Sequence, residues 1–168
     1  LSRLALAGAI ASFSLASAAN DASAGDRYRW RPDCASGNAA QPWRAASLNV
    51  VGLTADQRLV CFNEHRPQHA VDIGAVSGLY TDTKLVGIDF RVQDGWLYGV
   101  GDAGGVYKLD TSNASATLAS RLTVALDGTS FGVDFNPAAD RLRIVSDRGQ
   151  NLRHNINPGG VTLLDDPL

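Results

Sequence analysis

The sequence predicts an all-β chain, a β-propeller-like array of tandem blades that is partial at about two to three units and follows a signal peptide. Three observations carry that expectation. A strand–turn–strand phrase recurs along the chain. Its anchoring glycines, Gly52, Gly87 and Gly132, are spaced by about 35 and about 45 residues, the range of repeat architectures. No segment of the repeats shows a helical period.

In chain order, the leader comes first. Leu4 to Ala19 is an uncharged run of Leu, Ala, Ile, Phe and Ser behind Arg3, followed by small-x-small triplets at Ala16-Ser17-Ala18 and Ala22-Ser23-Ala24. This is the pattern of a signal peptide over residues 1–24, with cleavage after Ala24, where Gly25-Asp26 opens a polar stretch. The run is too short and too diluted with Ala and Ser to span a bilayer comfortably. Export to a bacterial periplasm or the extracellular space is expected, with no stable membrane span after cleavage. The chain opens on Leu1 with a single basic residue before the apolar run, so a further N-terminal stretch is expected upstream.

Residues 25–48 form a lead-in segment that carries Cys34; the only other cysteine, Cys61, lies in the first repeat. In an oxidising compartment the two are disulfide candidates. A bridge closes a loop of about 27 residues and contributes about 3 kcal/mol in the chain-entropy model. The alternative is one buried thiol and one free one.

The β-repeat domain spans 49–168. Its strongest echo pairs Leu85-Val-Gly-Ile-Asp-Phe90, a turn and Trp96-Leu-Tyr-Gly-Val100 with Phe131-Gly-Val-Asp-Phe135, a turn and Leu142-Arg-Ile-Val145. A weaker first copy reads Val50 to Phe62 with a shorter turn. Apolar β-formers alternate with small or polar residues, so each run has one buried face. Pro, Asn, Asp and Gly fill the turns between them, where φ is preset or a side chain replaces a ladder hydrogen bond. Third runs follow at Val106–Leu109 and Asn151–His154, and a fourth, Ala116–Arg121, is placed only in the middle unit. Ala114–Leu126 reads as strand because of its Thr, Ser and Val content and the turns that flank it. A β-sandwich is the rival architecture, but a sandwich has no need to repeat a Gly-x-Asp-Phe phrase.

These phrases carry a resemblance. Gly132-Val-Asp-Phe-Asn-Pro137, Asp140-Arg-Leu-Arg-Ile-Val-Ser-Asp147 and Gly149-Gln-Asn-Leu-Arg153 resemble a family of secreted proteins catalogued as domain of unknown function 4394, over about Asn49 to the C-terminus. The resemblance implies an exported propeller-like fold and transfers no catalytic residue. It also implies longer members, and too few blades to close a ring predict a chain truncated at its C-terminus, or closure by self-association.

The net charge of −2, with acids and bases interspersed, excludes the basic footprint of a nucleic-acid binder. The candidate ligand-binding residues are Asp89, Asp134, Arg143 and Arg153. Asp89 and Asp134 occupy matching places in the repeat. They are either carboxylates around a propeller axis or acceptors for backbone N–H groups, and their repetition favours the second reading. Arg141, Arg143, Arg148 and Arg153 cluster in one unit, as an anion-binding surface or, more ordinarily, as partners of Asp140 and Asp147. Asp102 and Asp147 open turns of ordinary chemistry.

His65 and His69 have the spacing of a helical metal pair, but Pro67 between them makes a turn the simpler reading. No nucleophile elbow surrounds His154. No catalytic residue, metal or cofactor is therefore expected. The residues fit a non-catalytic binding or scaffold module whose partner is an unknown ligand, a glycan or a surface protein. A propeller-type hydrolase or lactonase with a metal or polar cluster in its channel, and a structural envelope or matrix component, are the alternatives.

Overall fold

The computed structural model describes residues 49–167; the leader, the lead-in segment and Cys34 lie outside the described residues. Among the described residues, eleven strands form three antiparallel sheets, one per repeat unit. The first sheet contains β1 (Asn49–Leu53), β2 (Arg58–Asn63) and β3 (Val71–Ala75), in that spatial order. The second contains β4 (Leu85–Phe90), β5 (Leu97–Gly101), β6 (Gly105–Leu109) and β7 (Ala116–Arg121). The third contains β8 (Phe131–Asn136), β9 (Arg141–Ser146), β10 (Asn151–His154) and β11 (Thr162–Leu164). Each is a meander of neighbouring strands, the pattern of a blade. Among the described residues no helix is long and apolar enough to cross a membrane.

Local chemistry sets the turns. Between β4 and β5, Asp94 Oδ1 accepts the Trp96 N–H at 3.0 Å and Gly95 takes a φ of +70°. At the matching turn between β8 and β9, Asn136 Oδ1 accepts the N–H groups of Ala138 and Ala139, and Asp140 takes the positive φ of +49°. Asp is one of the few side chains tolerated there.

Burial follows the stacking of the sheets. Leu59, Cys61 and Ile73 of the first sheet pack with Leu85, Leu97, Tyr107 and Leu109 of the second. On the other face of the second sheet, Tyr98, Val100 and Val106 pack with Phe135, Leu142, Ile144 and Leu152 of the third. β5 is thus buried at every residue, because both of its faces meet a neighbouring sheet. The Tyr98 and Phe135 rings meet edge to face, with centroids 5.5 Å apart.

Two departures from the sequence pattern have physical causes. Gly52 does not repeat the role of Gly87. In β1, Val51 and Leu53 are turned toward the core shared with the second sheet, so Gly52 points the opposite way, toward Val60 and Phe62 of its own sheet. A Cβ on Gly87 would instead lie 2.5 Å from Val133 Cγ2 of the third sheet. The third unit also owns a fourth strand, β11, whose three residues are too few to show an alternation. The connection after β2 holds a single 3-10 turn, Pro67–His69, with both histidines exposed.

Candidate functional site

Of the four candidate ligand residues, Asp89 is occupied inside the fold. Its Oδ2 accepts the Phe135 N–H at 2.6 Å, from β8, the first strand of the next sheet and the inner strand of that blade-like unit. β8 is the edge strand of its sheet, so N–H groups on that side lack a ladder partner; the Asp89 carboxylate supplies an acceptor for one of them. Gly87, two residues earlier on the same face, leaves the space that Val133 enters. Glycine and aspartate of the repeat phrase thus form one blade-to-blade contact.

The other three candidates come together. Asp134, Arg143 and Arg153 are register partners across β8, β9 and β10, and Leu163 of β11 completes the row. They alternate with Phe135, Leu142 and Leu152, which face the second sheet, so the row lies on the opposite, outer face. Arg143 Nη1 donates to Asn151 Oδ1 at 2.5 Å and to Asp165 Oδ2 at 2.7 Å. Arg153 Nη2 donates to Asp165 Oδ1 at 3.0 Å. Asp134 is exposed and its carboxylate makes no hydrogen bond or ion pair among the described residues. One carboxylate therefore holds both guanidinium groups, and a second stands in the same row unengaged.

The arginine partners differ from those the sequence suggests. Asp165 and Asp127, not Asp140 and Asp147, pair with the cluster: Arg148 reaches Asp127 at 3.0 Å, and Arg141 donates to the backbone carbonyls of Ala139 and Asp140. Asp140 belongs to Arg91, which also binds Asp94 and so joins the first turns of two successive blades. Burial, then the Asp94 carboxylate, pushes the Tyr98 hydroxyl up to about 12, which keeps it a donor to Asp94 Oδ2 at 2.8 Å.

Asp102 and Asp147 have equivalent tasks. Asp102 accepts the Thr83 N–H and hydroxyl, and Asp147 accepts the Thr129 N–H and hydroxyl. Each clamps the segment entering an inner strand. The Thr129 hydroxyl and N–H hold the Asp147 carboxyl at about 2.

Sequence reasoning missed Asp82, the most buried acid. Its carboxylate accepts the Tyr107 hydroxyl at 2.5 Å and the N–H groups of Ala103 and Gly105 at 2.6 and 3.3 Å, with Arg121 Nη2 at 3.6 Å. All of these partners lie about 20 to 40 residues downstream, so no local pattern marks it. Gln57 was missed for the same reason. Its amide exchanges two hydrogen bonds with the Leu85 backbone and joins the first sheet to the second.

His154 is fully buried between two hydroxyls. Nε2 lies 2.9 Å from Ser120 Oγ and Nδ1 lies 3.0 Å from Thr162 Oγ1. A serine beside a histidine invites a nucleophile reading, but the third group is a hydroxyl where a catalytic triad places a carboxylate. The arrangement instead links β7 of the second sheet to β10 and β11 of the third. Burial lowers the His154 pKa below its ordinary 6.5, so the folded chain holds the imidazole neutral. The unfolded chain takes up the proton near pH 6.5, so this clasp contributes fully above that pH and progressively less below it. Thermal melts are expected to show Tm falling between about pH 7.5 and about pH 5, and a smaller fall in His154→Gln. Identical pH profiles for the two proteins would refute the assignment.

Among the described residues no three His, Cys, Asp or Glu side chains converge as metal ligands. A protein-family model described as domain of unknown function (DUF4394) matches residues 58–168, more than half of the chain, from β2 of the first sheet to the end of the third. No curated protein and no solved structure matches the chain.

Proposed function

The chain belongs to the family described as domain of unknown function (DUF4394), and from that premise we propose that it is an exported, non-catalytic binding module whose contact face is the outer face of the third sheet. The single observation that carries this reading is the row Asp134–Arg143–Arg153. Three of the four candidate residues share one exposed face, and Asp165 pre-orders both guanidinium groups there. Paired guanidinium forks held by one carboxylate lose little freedom on meeting acceptors of a partner. The other acids of the repeat, Asp82, Asp89, Asp102 and Asp147, are engaged in hydrogen bonds that build the blades.

The test is a binding comparison on immobilised surface glycans and purified envelope proteins, run beside an ester and lactone turnover screen. The Arg143→Ala/Arg153→Ala double variant is expected to lose at least about tenfold in affinity for whichever probe binds, because each charge-assisted hydrogen bond contributes about 1.5–3 kcal/mol. Wild-type turnover that disappears in Ser120→Ala would overturn the non-catalytic reading. Unchanged binding by the double variant would remove the outer face from it.

A further inference from the structure

We infer that the outer face of the third sheet is a blade-docking surface, and that its partner is the inner strand of another blade of the same Gly-x-Asp-Phe pattern; this deepens the preceding proposal and rests on its choice of face. The chain already makes one such contact. Across the second and third sheets, Gly87 makes room for Val133, and Asp89 Oδ2 accepts the Phe135 N–H at 2.6 Å. Both residues lie on the face of the second sheet that also presents Tyr98 and Lys108, register partners of Asp89 in turn. That row packs against the third sheet through Tyr98.

The same row recurs about 45 residues later as Asp134, Arg143 and Arg153. Its inner-strand part is unchanged. Gly132 stands where Gly87 stands and is exposed; a Cβ there would meet only Val145 Cγ2, at 3.0 Å. Asp134 stands where Asp89 stands, exposed and with its carboxylate unpartnered among the described residues. A gap beside the backbone and an unengaged carboxylate two residues on are the two halves of the contact that β4 makes with β8. The surface thus continues an interface the chain already contains, and stacked repeats gain stability through such nearest-neighbour contacts.

The occupant implied is specific. It offers an edge strand with an apolar side chain to fill the space over Gly132 and, two residues later, a free backbone N–H for Asp134. Val133 and Phe135 of β8 offer these to β4. The outer part of the face is more polar than its counterpart, since Arg143 and Arg153 replace Tyr98 and Lys108.

The experiment extends the full chain at its C-terminus with a duplicate of residues 126–167 and follows amide hydrogen exchange and Tm. The duplicated amide that corresponds to Phe135 is expected to be protected, with Tm raised above that of the unextended chain. Asp134→Asn is expected to reduce that protection about tenfold or more in the extended chain and to leave the Tm of the unextended chain unmoved. Asp89→Asn in the unextended chain sets the scale by exposing the Phe135 amide to the same degree. Free exchange of the duplicate, or protection indifferent to Asp134→Asn and to Gly132→Leu, overturns the inference. Self-association of the unextended 17.7 kDa chain that Asp134→Lys abolishes would give the face to a second copy and also overturn it. Because the binding test uses Arg143 and Arg153 and this one uses Gly132 and Asp134, either can fail while the other holds.

Discussion

Asp82→Ala is expected to destabilise the chain by about 3–5 kcal/mol and to lower its melting temperature by roughly 10–20 °C. The Asp82 side chain is 0% exposed. It receives the Tyr107 hydroxyl and two backbone N–H groups, from Ala103 and Gly105, with the Arg121 guanidinium close by. Deleting the carboxylate takes an acceptor from the Ala103 and Gly105 N–H groups and leaves the Tyr107 hydroxyl only the Tyr80 carbonyl, at 2.7 Å; each buried donor left unpaired costs about 1–3 kcal/mol. Nothing nearby can close the gap, since Gly101 and Gly105 have no side chains and are kept bare by the carboxyl group itself. The hydroxyl of Tyr107 is tied to this site, where burial first and then Asp82 raise its pKa. Asp82→Asn is expected to keep part of the stability, because one amide oxygen still accepts while its NH₂ faces donors. Urea titration of the three proteins provides the measurement. A loss below about 1 kcal/mol for Asp82→Ala would show that the surrounding donors find other acceptors.

The second large effect is expected at Gly87. Its φ is not positive, so Gly87→Val introduces no backbone strain, and valine is a good strand former. The substitution is nevertheless expected to cost about 3 kcal/mol, because the new Cβ would sit 2.5 Å from Val133 Cγ2 and 2.9 Å from Val133 Cβ. Separating the sheets to relieve this clash also lengthens the bond from Phe135 to Asp89. The same change at Gly132 meets only Val145 Cγ2 at 3.0 Å and is expected to cost under about 1 kcal/mol. A Gly87→Val/Val133→Ala double variant is expected to recover part of the loss, with a coupling of about 1 kcal/mol or more. Equal effects at the two glycines would show that packing between the sheets does not distinguish them.

Much of the fold was legible in the residues. Phe131–Asn136 alternates in the way a half-buried strand must, Leu85–Phe90 shares its Gly-x-Asp-Phe phrase, and the Asp-Gly and Asn-Pro turns after them are where the chain reverses. The recurrence of Gly-x-Asp-Phe was legible too, and a structural role for its aspartate is met at Asp89. The first unit was harder to read. A glycine at the matching place does not reveal which way a strand faces, and a shift of one residue put Gly52 on the opposite side. The candidate site was legible only in part. Asp134, Arg143 and Arg153 can be picked out singly, but their meeting in one row depends on the registers of β8, β9 and β10.

By itself, then, the sequence determined the blade-like unit, because alternation and turn chemistry act over a few residues and leave a local trace. It also determined the repeat, and with it the family. Only the tertiary structure decided what each copy of a repeated residue does. Asp89 and Asp134 stand in the same Gly-x-Asp-Phe phrase, yet one is engaged by the Phe135 N–H of the next sheet and the other is exposed. Asp82, Gln57, Asp165 and His154 likewise take their partners from other turns, strands or sheets. Those contacts cross gaps of eight to more than thirty residues, and local periodicity carries no information about what stands on the far side of a packed interface.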